Sequence, residues 1–345
     1  MAVVFAVSPQ TQAFAEDYTE QGILADGKAW TYHLYSDHAE LIKVYVSGTN
    51  HIPENLVIPD YTPKELGSLP ITWYAGPGGQ RVDSGLVSIK FNSFIEEVPW
   101  SAFEHCKTLK TVDFGNAPIK VIREAAFRDT GLTSIKFPST VECIEARAFS
   151  GAKFKNLVLP PKLKTIGDLA FEGCLSQKKL VIPDSVKSIG YYALRPDPDG
   201  PNRIETLHIG KGIKNLDVRQ WIGTASVTKI TGCENVTTIT TFPYRLKNIV
   251  IFKNVKKLAK GALDLDMLKK YPTIVIKSKK LTKKNVKGCI DLNGNLKKVT
   301  FKISVGSKKA NKQYLAKYKK FFTKKVLLDW TYDWDLKSVK KILIA

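Results

Sequence analysis

One short pattern is written again and again along this chain, and that repetition constrains the fold more than any other feature. The pairs Ala102-Phe103, Ala126-Phe127, Ala148-Phe149, Ala170-Phe171 and Ala193-Leu194 recur every 22 to 24 residues. Five places before each second member stands an aliphatic residue: Val98, Ile122, Ile144, Ile166 and Ile189. Between the pairs runs a triplet, apolar-x-x-apolar-x-apolar. It reads Leu86, Ile89, Phe91, then Leu109, Val112, Phe114, then Leu132, Ile135, Phe137, then Phe154, Leu157, Leu159, and, broken at Gln177, Leu180, Ile182. Fainter copies follow at Ile204, Leu207, Ile209, at Val227, Ile230 and at Leu246, Ile249, Ile251, with lysine-rich ones at Tyr271, Ile274, Ile276 and Leu296, Val299, Phe301. A fixed period of this size, in about ten copies, is the signature of a stacked repeat architecture.

The last two apolar positions of each triplet alternate with polar ones at period two, as in a half-buried strand. The Ala-Phe segment is too short for a free-standing helix and fits a helical or 3₁₀ turn on the opposite side of a coil. A unit this small cannot bury its own apolar face, so it must stack on its neighbours. Stacked strands then form a parallel ladder with about 4.8 Å per rung. The Ala is small because the turn packs close to the ladder, and the Phe fills space between layers.

The stretches LVLPPKLKTIGDLAFEGC (157–174) and LVIPDSVKSIGYYAL (180–194) resemble the leucine-rich repeats of the BspA-type bacterial surface-protein family. The similarity is strong from Leu86 to Leu194 and degraded from Ile204 to about Phe301. Residues 30–60 resemble the hairpin that often precedes such arrays, and Leu56-Val57-Ile58-Pro59 opens an irregular first repeat. The resemblance implies an α/β solenoid: a right-handed leucine-rich-repeat superhelix with a parallel β-sheet on its concave face and short helices or 3₁₀ turns opposite. It also implies exposure on a cell surface and binding of other macromolecules. Copies after residue 210 lose the Ala-Phe pair, so uniform curvature is not expected there.

Both ends of a solenoid need caps. Residues 16–60 are expected to form an N-terminal β cap, with strands around Trp30–Leu34 and Leu41–Val46. Residues 61–305 form the solenoid, regular over 86–194 and degenerate over 204–305, and residues 306–345 a lysine-rich helix–strand cap. Leu315, Tyr318 and Phe322 at i, i+3, i+7 predict an amphipathic helix in that cap. Val326, Leu328, Trp330, Tyr332 and Trp334 alternate as a strand, read as capping core, with a sugar-stacking platform as the alternative. Residues 1–15 are set apart: an apolar patch, Ala2 to Val7, leads to Ala13-Phe14-Ala15 and acidic Glu16 and Asp17, as at the end of a secretory signal peptide. Its basic n-region is missing, which points to a start upstream of Met1. The longest repeat step carries RPDPDGPN (195–202), a loop. Its Asp197 and Asp199 supply too few oxygens for calcium.

Motifs for catalysis are missing. There is no H-E-x-x-H, G-x-S-x-G or Walker spacing and no C-x-x-C pair, and GPGG at 76–79 reads as a turn. His105 and Cys106 are adjacent, but no third residue is placed to orient a base. Of the five cysteines, Cys106 and Cys174 hold equivalent positions three layers apart, roughly 14 Å at the strand spacing, beyond the ~7 Å reach of a disulfide. All five are read as small buried residues. No enzyme, cofactor or metal is expected, and no apolar run approaches the roughly 18 residues of a membrane span.

What remains is surface. If the apolar strand positions point inward, the alternates line the concave face, and the positions singled out there are Lys90, Asp113, Lys136, Val158, Val181, His208 and Lys229. That mixture suits a protein partner with distributed contacts rather than a pocketed small ligand. Charge is the second feature. The formal net charge is +21, and from Val250 onward 26 lysines face six acidic residues. Lys279, Lys280, Lys283, Lys284, Lys308, Lys309, Lys319 and Lys320 form a basic patch whose field attracts anionic polymers such as wall teichoic acids, acidic glycans or anionic lipid. Nucleic acid is expected to bind only non-specifically, for want of a base-reading motif. The expectation is a monomeric, secreted or surface-attached, adhesin-like bacterial protein binding a protein or glycoprotein. The alternatives are a wall-associated module held by its lysines and a carbohydrate-binding module.

Overall fold

The computed structural model describes residues 3–6, 19–25, 28–46, 54–62, 64, 68, 71–73, 85–197, 204–223, 227–243, 246, 248–264, 273–291, 298–322 and 341–344. The chain divides into two compact units, Met1–Ser176 with Ile189–Asp197, and Gln177–Ser188 with Pro198–Ala345.

The first unit opens on an antiparallel meander, Val3–Ala6, Thr19–Ala25, Lys28–Leu34 and Ala39–Val46, to which Ile71–Trp73 adds in parallel. The strands read around Trp30–Leu34 and Leu41–Val46 are the third and fourth of this five-stranded sheet. Val3–Ala6, inside the segment read as a leader, pairs with Gln21–Leu24.

Beyond the meander each coil has three faces. On the first, the triplets form a parallel ladder: Asn55–Val57, Ser88–Lys90 and Thr111–Asp113 hold Leu56, Ile89 and Val112 in register. On the second, the aliphatic residues preceding the Ala-Phe pairs form a ladder of their own. Glu97–Val98, Val121–Ile122, Cys143–Ile144 and Thr165–Ile166 align Val98, Ile122, Ile144 and Ile166, and Gly190 N donates to the Ile166 carbonyl at 2.8 Å to carry it on. The third face holds the Ala-Phe pairs, where short helices or 3₁₀ turns were expected and turns stand. Two residues before each second member, Ser101, Ala125, Arg147, Leu169 and Tyr192 have φ between 50° and 58°, which a right-handed helix does not admit. The amides of these turns are satisfied by the next coil instead. Phe103, Phe127, Phe149 and Phe171 N donate to the carbonyls of Ala126, Ala148, Ala170 and Ala193 at 2.7–2.8 Å.

That coil-to-coil bonding puts one Phe ring above the next. Phe103, Phe127, Phe149 and Phe171 are buried and stacked near-parallel, with centroids 5.0, 5.2 and 5.4 Å apart. Their Ala partners at 102, 126, 148 and 170 are fully buried. A larger residue would have no room there.

In the second unit the triplet strands Lys179–Val181, Thr206–Ile209 and Lys229–Gly232 form one parallel sheet. Asn248–Ile251, Thr273–Ile276, Lys298–Ile303 and Lys341–Ile344 form another. The second ladder runs through Asn215–Asp217, Thr238–Thr241 and Lys257–Leu258. The five-residue helix α1 (Val218–Ile222) replaces one turn, capped by Asp217, whose carboxylate accepts from Gln220 N. The Ala-Phe pair is not wholly lost after residue 210, as the sequence reading had it. Ala262-Leu263 stands five places after Leu258, all three are buried, and Leu263–Asp264 pairs with Ile290–Asp291. Leu stands in place of Phe here, as it does in Ala193-Leu194.

The predicted amphipathic helix is α2 (Lys308–Lys319), N-capped by Ser307. Its buried Tyr318 donates its hydroxyl to the Ser278 carbonyl at 2.8 Å, and the Phe322 ring lies 4.4 Å from that of Phe301. Residues 326–334, with the Trp330, Tyr332, Trp334 stripe, lie outside the described residues, as do GPGG and Asp199.

Candidate functional site

Residues that could meet a partner are those the triplet strands turn outward. In the first unit these make two rows, Asn55, Ser88, Thr111 and Val57, Lys90, Asp113, each member in register with the next. Ser88 Oγ donates to Asn55 Oδ1 at 2.6 Å, and Asp113 Oδ1 accepts from Gly115 N at 2.9 Å. Lys90 and Asp113 therefore sit side by side on one rung-to-rung step. Lys136 and Val158 are exposed on coils that leave the ladder, and Val158 is the barest large apolar side chain described, at 69%.

The second unit repeats the arrangement with Lys179, Thr206, Lys229 and Val181, His208, Thr231. His208 Nδ1 lies 3.0 Å from Thr231 Oγ1, and Val181 is exposed beside it. Of the seven positions singled out from sequence, Lys90, Asp113, Lys136 and Val158 belong to the first unit and Val181, His208 and Lys229 to the second. Lys229 stands in the row of Thr206, whereas Val181 and His208 share the other.

The two units manage their charge differently. In the first, cations stack on anions of adjacent coils. Lys120 meets Glu96 and Lys164 meets Glu142, both at 2.6 Å, and Arg123 bridges Glu97 (2.7 Å) and Glu145 (3.0 Å). Arg128 reaches Glu104 and Arg195 reaches Glu172, both at 3.2 Å. Hydrogen bonding from Lys164 holds the Glu142 carboxyl below the usual carboxylate range, and the charges of Lys164, Lys162 and Lys120 add to it. In the second unit the ion pair among the described residues is Lys211 with Asp184, at 3.5 Å. All eight lysines of the predicted basic patch are exposed, and no described carboxylate lies within ion-pair distance of them.

The structure sets two of these lysines, Lys279 and Lys280, against helix α2 in a way the sequence does not announce. The Tyr318–Ser278 bond seats α2 on the turn that carries Lys279 and Lys280. Lys279 Nζ lies 6.0 Å from the Tyr314 ring, and Lys317 Nζ lies 5.3 Å from it. Lys280 Nζ donates to Asn254 Oδ1 at 2.7 Å, and Asn285 Nδ2 to the Lys256 carbonyl at 3.2 Å, joining the 3₁₀ turn Lys284–Val286 to the preceding coil.

His105 and Cys106 point apart. His105 Nδ1 is 3.2 Å from Asp129 Oδ2, while the buried Cys106 thiol is 3.6 Å from the Leu86 carbonyl. Asp197 pairs with Lys153 at 2.9 Å. Trp100 and Tyr191, both 47% exposed, went unremarked in the sequence. They stand two places after Val98 and Ile189, where the intervening repeats carry Glu124, Ala146 and Asp168. No described helix is long and apolar enough to cross a membrane.

The family model for the BspA-type leucine-rich repeat region matches in six copies, over residues 82–201 and 120–249. Residues 82–249 are a BspA-type leucine-rich repeat region. The array shares its fold with a leucine-rich repeat protein of Bacteroides ovatus, at a TM-score of 0.53 and 16% identity over 80% of this chain and 84% of that one. It also resembles a leucine-rich cell surface protein of Faecalibacterium prausnitzii, at a TM-score of 0.50 and 17% identity, covering 82% and 88%. A comparison with curated proteins finds no match. BspA-type repeats are bacterial cell-surface modules, and leucine-rich-repeat scaffolds generally serve protein interaction rather than catalysis.

Proposed function

We propose that this chain is a secreted or surface-attached bacterial protein that binds a protein or glycoprotein through the outward rows of its triplet strands, adhesin-like and without enzymatic activity. Residues 16–60 and 306–345 close the array at its two ends. The observation that carries the reading is the pair of registered rows, in which polar, charged and apolar side chains alternate at the strand spacing on hydrogen-bonded rungs. Such a surface offers many small contacts and needs no pocket. Lys90, Asp113, Lys136 and Val158 are the contacts proposed in the first unit, and Val181, His208 and Lys229 in the second. The test is retention of the full chain on host matrix glycoproteins at high salt. One glycoprotein should hold it, and Lys90→Glu with Val181→Asp should release it; indifference to both substitutions would sink the assignment of this face.

The lysines that have no ion-pair partner among the described residues favour a second reading, in which the C-terminal part holds the chain at an anionic cell-wall polymer. Binding to isolated walls that disappears at high salt is its signature.

A further inference from the structure

The lysine surface of the second unit has three properties that narrow its partner. First, it is built of lysine alone: from Val250 to the end the chain has 26 lysines and no arginine. Arginine supplies planar, bidentate recognition, whereas lysine binds phosphate as a point charge. Second, among its described residues no large apolar side chain is open: those exposed all lie between Val57 and Tyr191. Tyr314 is half-buried and bracketed by the ammonium groups of Lys279 and Lys317, so its own ring is not open for a sugar to stack on. Third, α2 places Lys308 and Lys309 in its first turn with no acidic residue there, where the helix dipole disfavours cations. A local rule broken on a well-capped helix points to a selective reason for those charges.

From these properties we infer that the second unit binds a flexible, linear phosphodiester polymer of the poly(polyol phosphate) kind, across the turn Ser278–Leu281 and helix α2. This rests on the second reading above and names its ligand. Lys279 and Lys280 on the turn, and Lys317 and Lys319 on the helix, are brought to one contact by the Tyr318–Ser278 bond. A flexible chain with one phosphate per unit can meet these ammonium groups in succession and release its counterions as it does so. A duplex, with a persistence length of about 50 nm, does not fold around a turn and a helix end in this way.

The test titrates the full chain with poly(glycerol phosphate), hyaluronate, duplex DNA and phosphatidylglycerol vesicles at several salt concentrations. Poly(glycerol phosphate) should bind at least about tenfold more tightly than hyaluronate, with a log–log salt slope of about −0.7 per lysine engaged. The quadruple variant Lys279→Gln, Lys280→Gln, Lys317→Gln, Lys319→Gln should lower that slope by about 3. The double variant Lys120→Gln, Lys164→Gln, whose cations already have partners, should leave it unchanged. Circular dichroism confirms that each variant is folded. Equal affinity for hyaluronate, DNA or vesicles overturns the phosphodiester assignment while sparing the wall-binding reading. Failure of every polyanion to bind overturns both, and an unchanged slope in the quadruple variant overturns the placement on this turn and helix.

Discussion

Phe149 shows what a single repeat residue does. Its ring is fully buried between Phe127 at 5.2 Å and Phe171 at 5.4 Å, and backbone bonds fix the coils on either side. The rungs cannot close over a void, so Phe149→Ala should cost about 3–5 kcal/mol. Urea unfolding of the purified variant checks this, and a loss below about 1 kcal/mol would contradict the packing. The cysteines follow the same logic of burial. Burial pushes the Cys233 and Cys289 thiols up to about 12 and the Cys174 thiol well above its usual value. Cys143 is raised too, by burial first and by the Glu145 charge, but it is only half-buried on its strand. Thiolate is the reacting form, so all four should resist alkylation at neutral pH. Timed labelling read by mass spectrometry should modify Cys143 before Cys174, Cys233 or Cys289, the reverse order being incompatible with the fold.

At the scale of elements, the sequence revealed what has a period and concealed what has none. The triplets alternate at period two, and Leu56, Ile89, Val112 and Leu180, Leu207, Ile230 are the in-register apolar positions of their sheets. The second ladder went unread because strands of two residues, such as Val121–Ile122, are too short to alternate. The left-handed turn positions were hidden because Ala125, Arg147 and Leu169 are not residues that seek that conformation; the inter-coil hydrogen bonds impose it. Which row Lys229 joins depends on pairing register, which apolar spacing alone does not set. Helix α2 was legible from Leu315, Tyr318 and Phe322, but its seat was not, because a hydroxyl bond to Ser278 forty residues away leaves no pattern. Its first turn carries a testable conflict. Lys308→Glu with Lys309→Glu should stabilise the helix by roughly 0.3–1 kcal/mol per site at low salt, while weakening attachment to an anionic polymer. Thermal unfolding and wall binding, measured on the same variant, should move in opposite directions.

Over the whole molecule the decisive contrast is in how charge is compensated. The regular repeats of the first unit set Glu96 against Lys120, Glu142 against Lys164 and Arg123 between two glutamates. Exposed pairs of this kind contribute about 0–1 kcal/mol each and weaken as salt screens them. Stability there should fall slightly, or hold, as salt rises. Lys253, Lys256, Lys279 and Lys280 in the second unit have no described acidic partner, so their mutual repulsion opposes folding until ions screen it. Screening is effective over about 10 Å at 0.1 M salt, a few rungs of the ladder. Local stability around Asn248–Ile251 and Thr273–Ile276 should therefore rise with sodium chloride. Amide hydrogen exchange resolves the two regions in one experiment. Slower exchange at 248–276 in high salt, with unchanged or faster exchange at 97–166, is the expected outcome. A uniform response along the chain would contradict this contrast between the two units. A poly(polyol phosphate) added at low salt should reproduce the protection at 248–276 and leave 97–166 untouched, because a polymer that supplies the missing negative charge replaces the screening that salt provides.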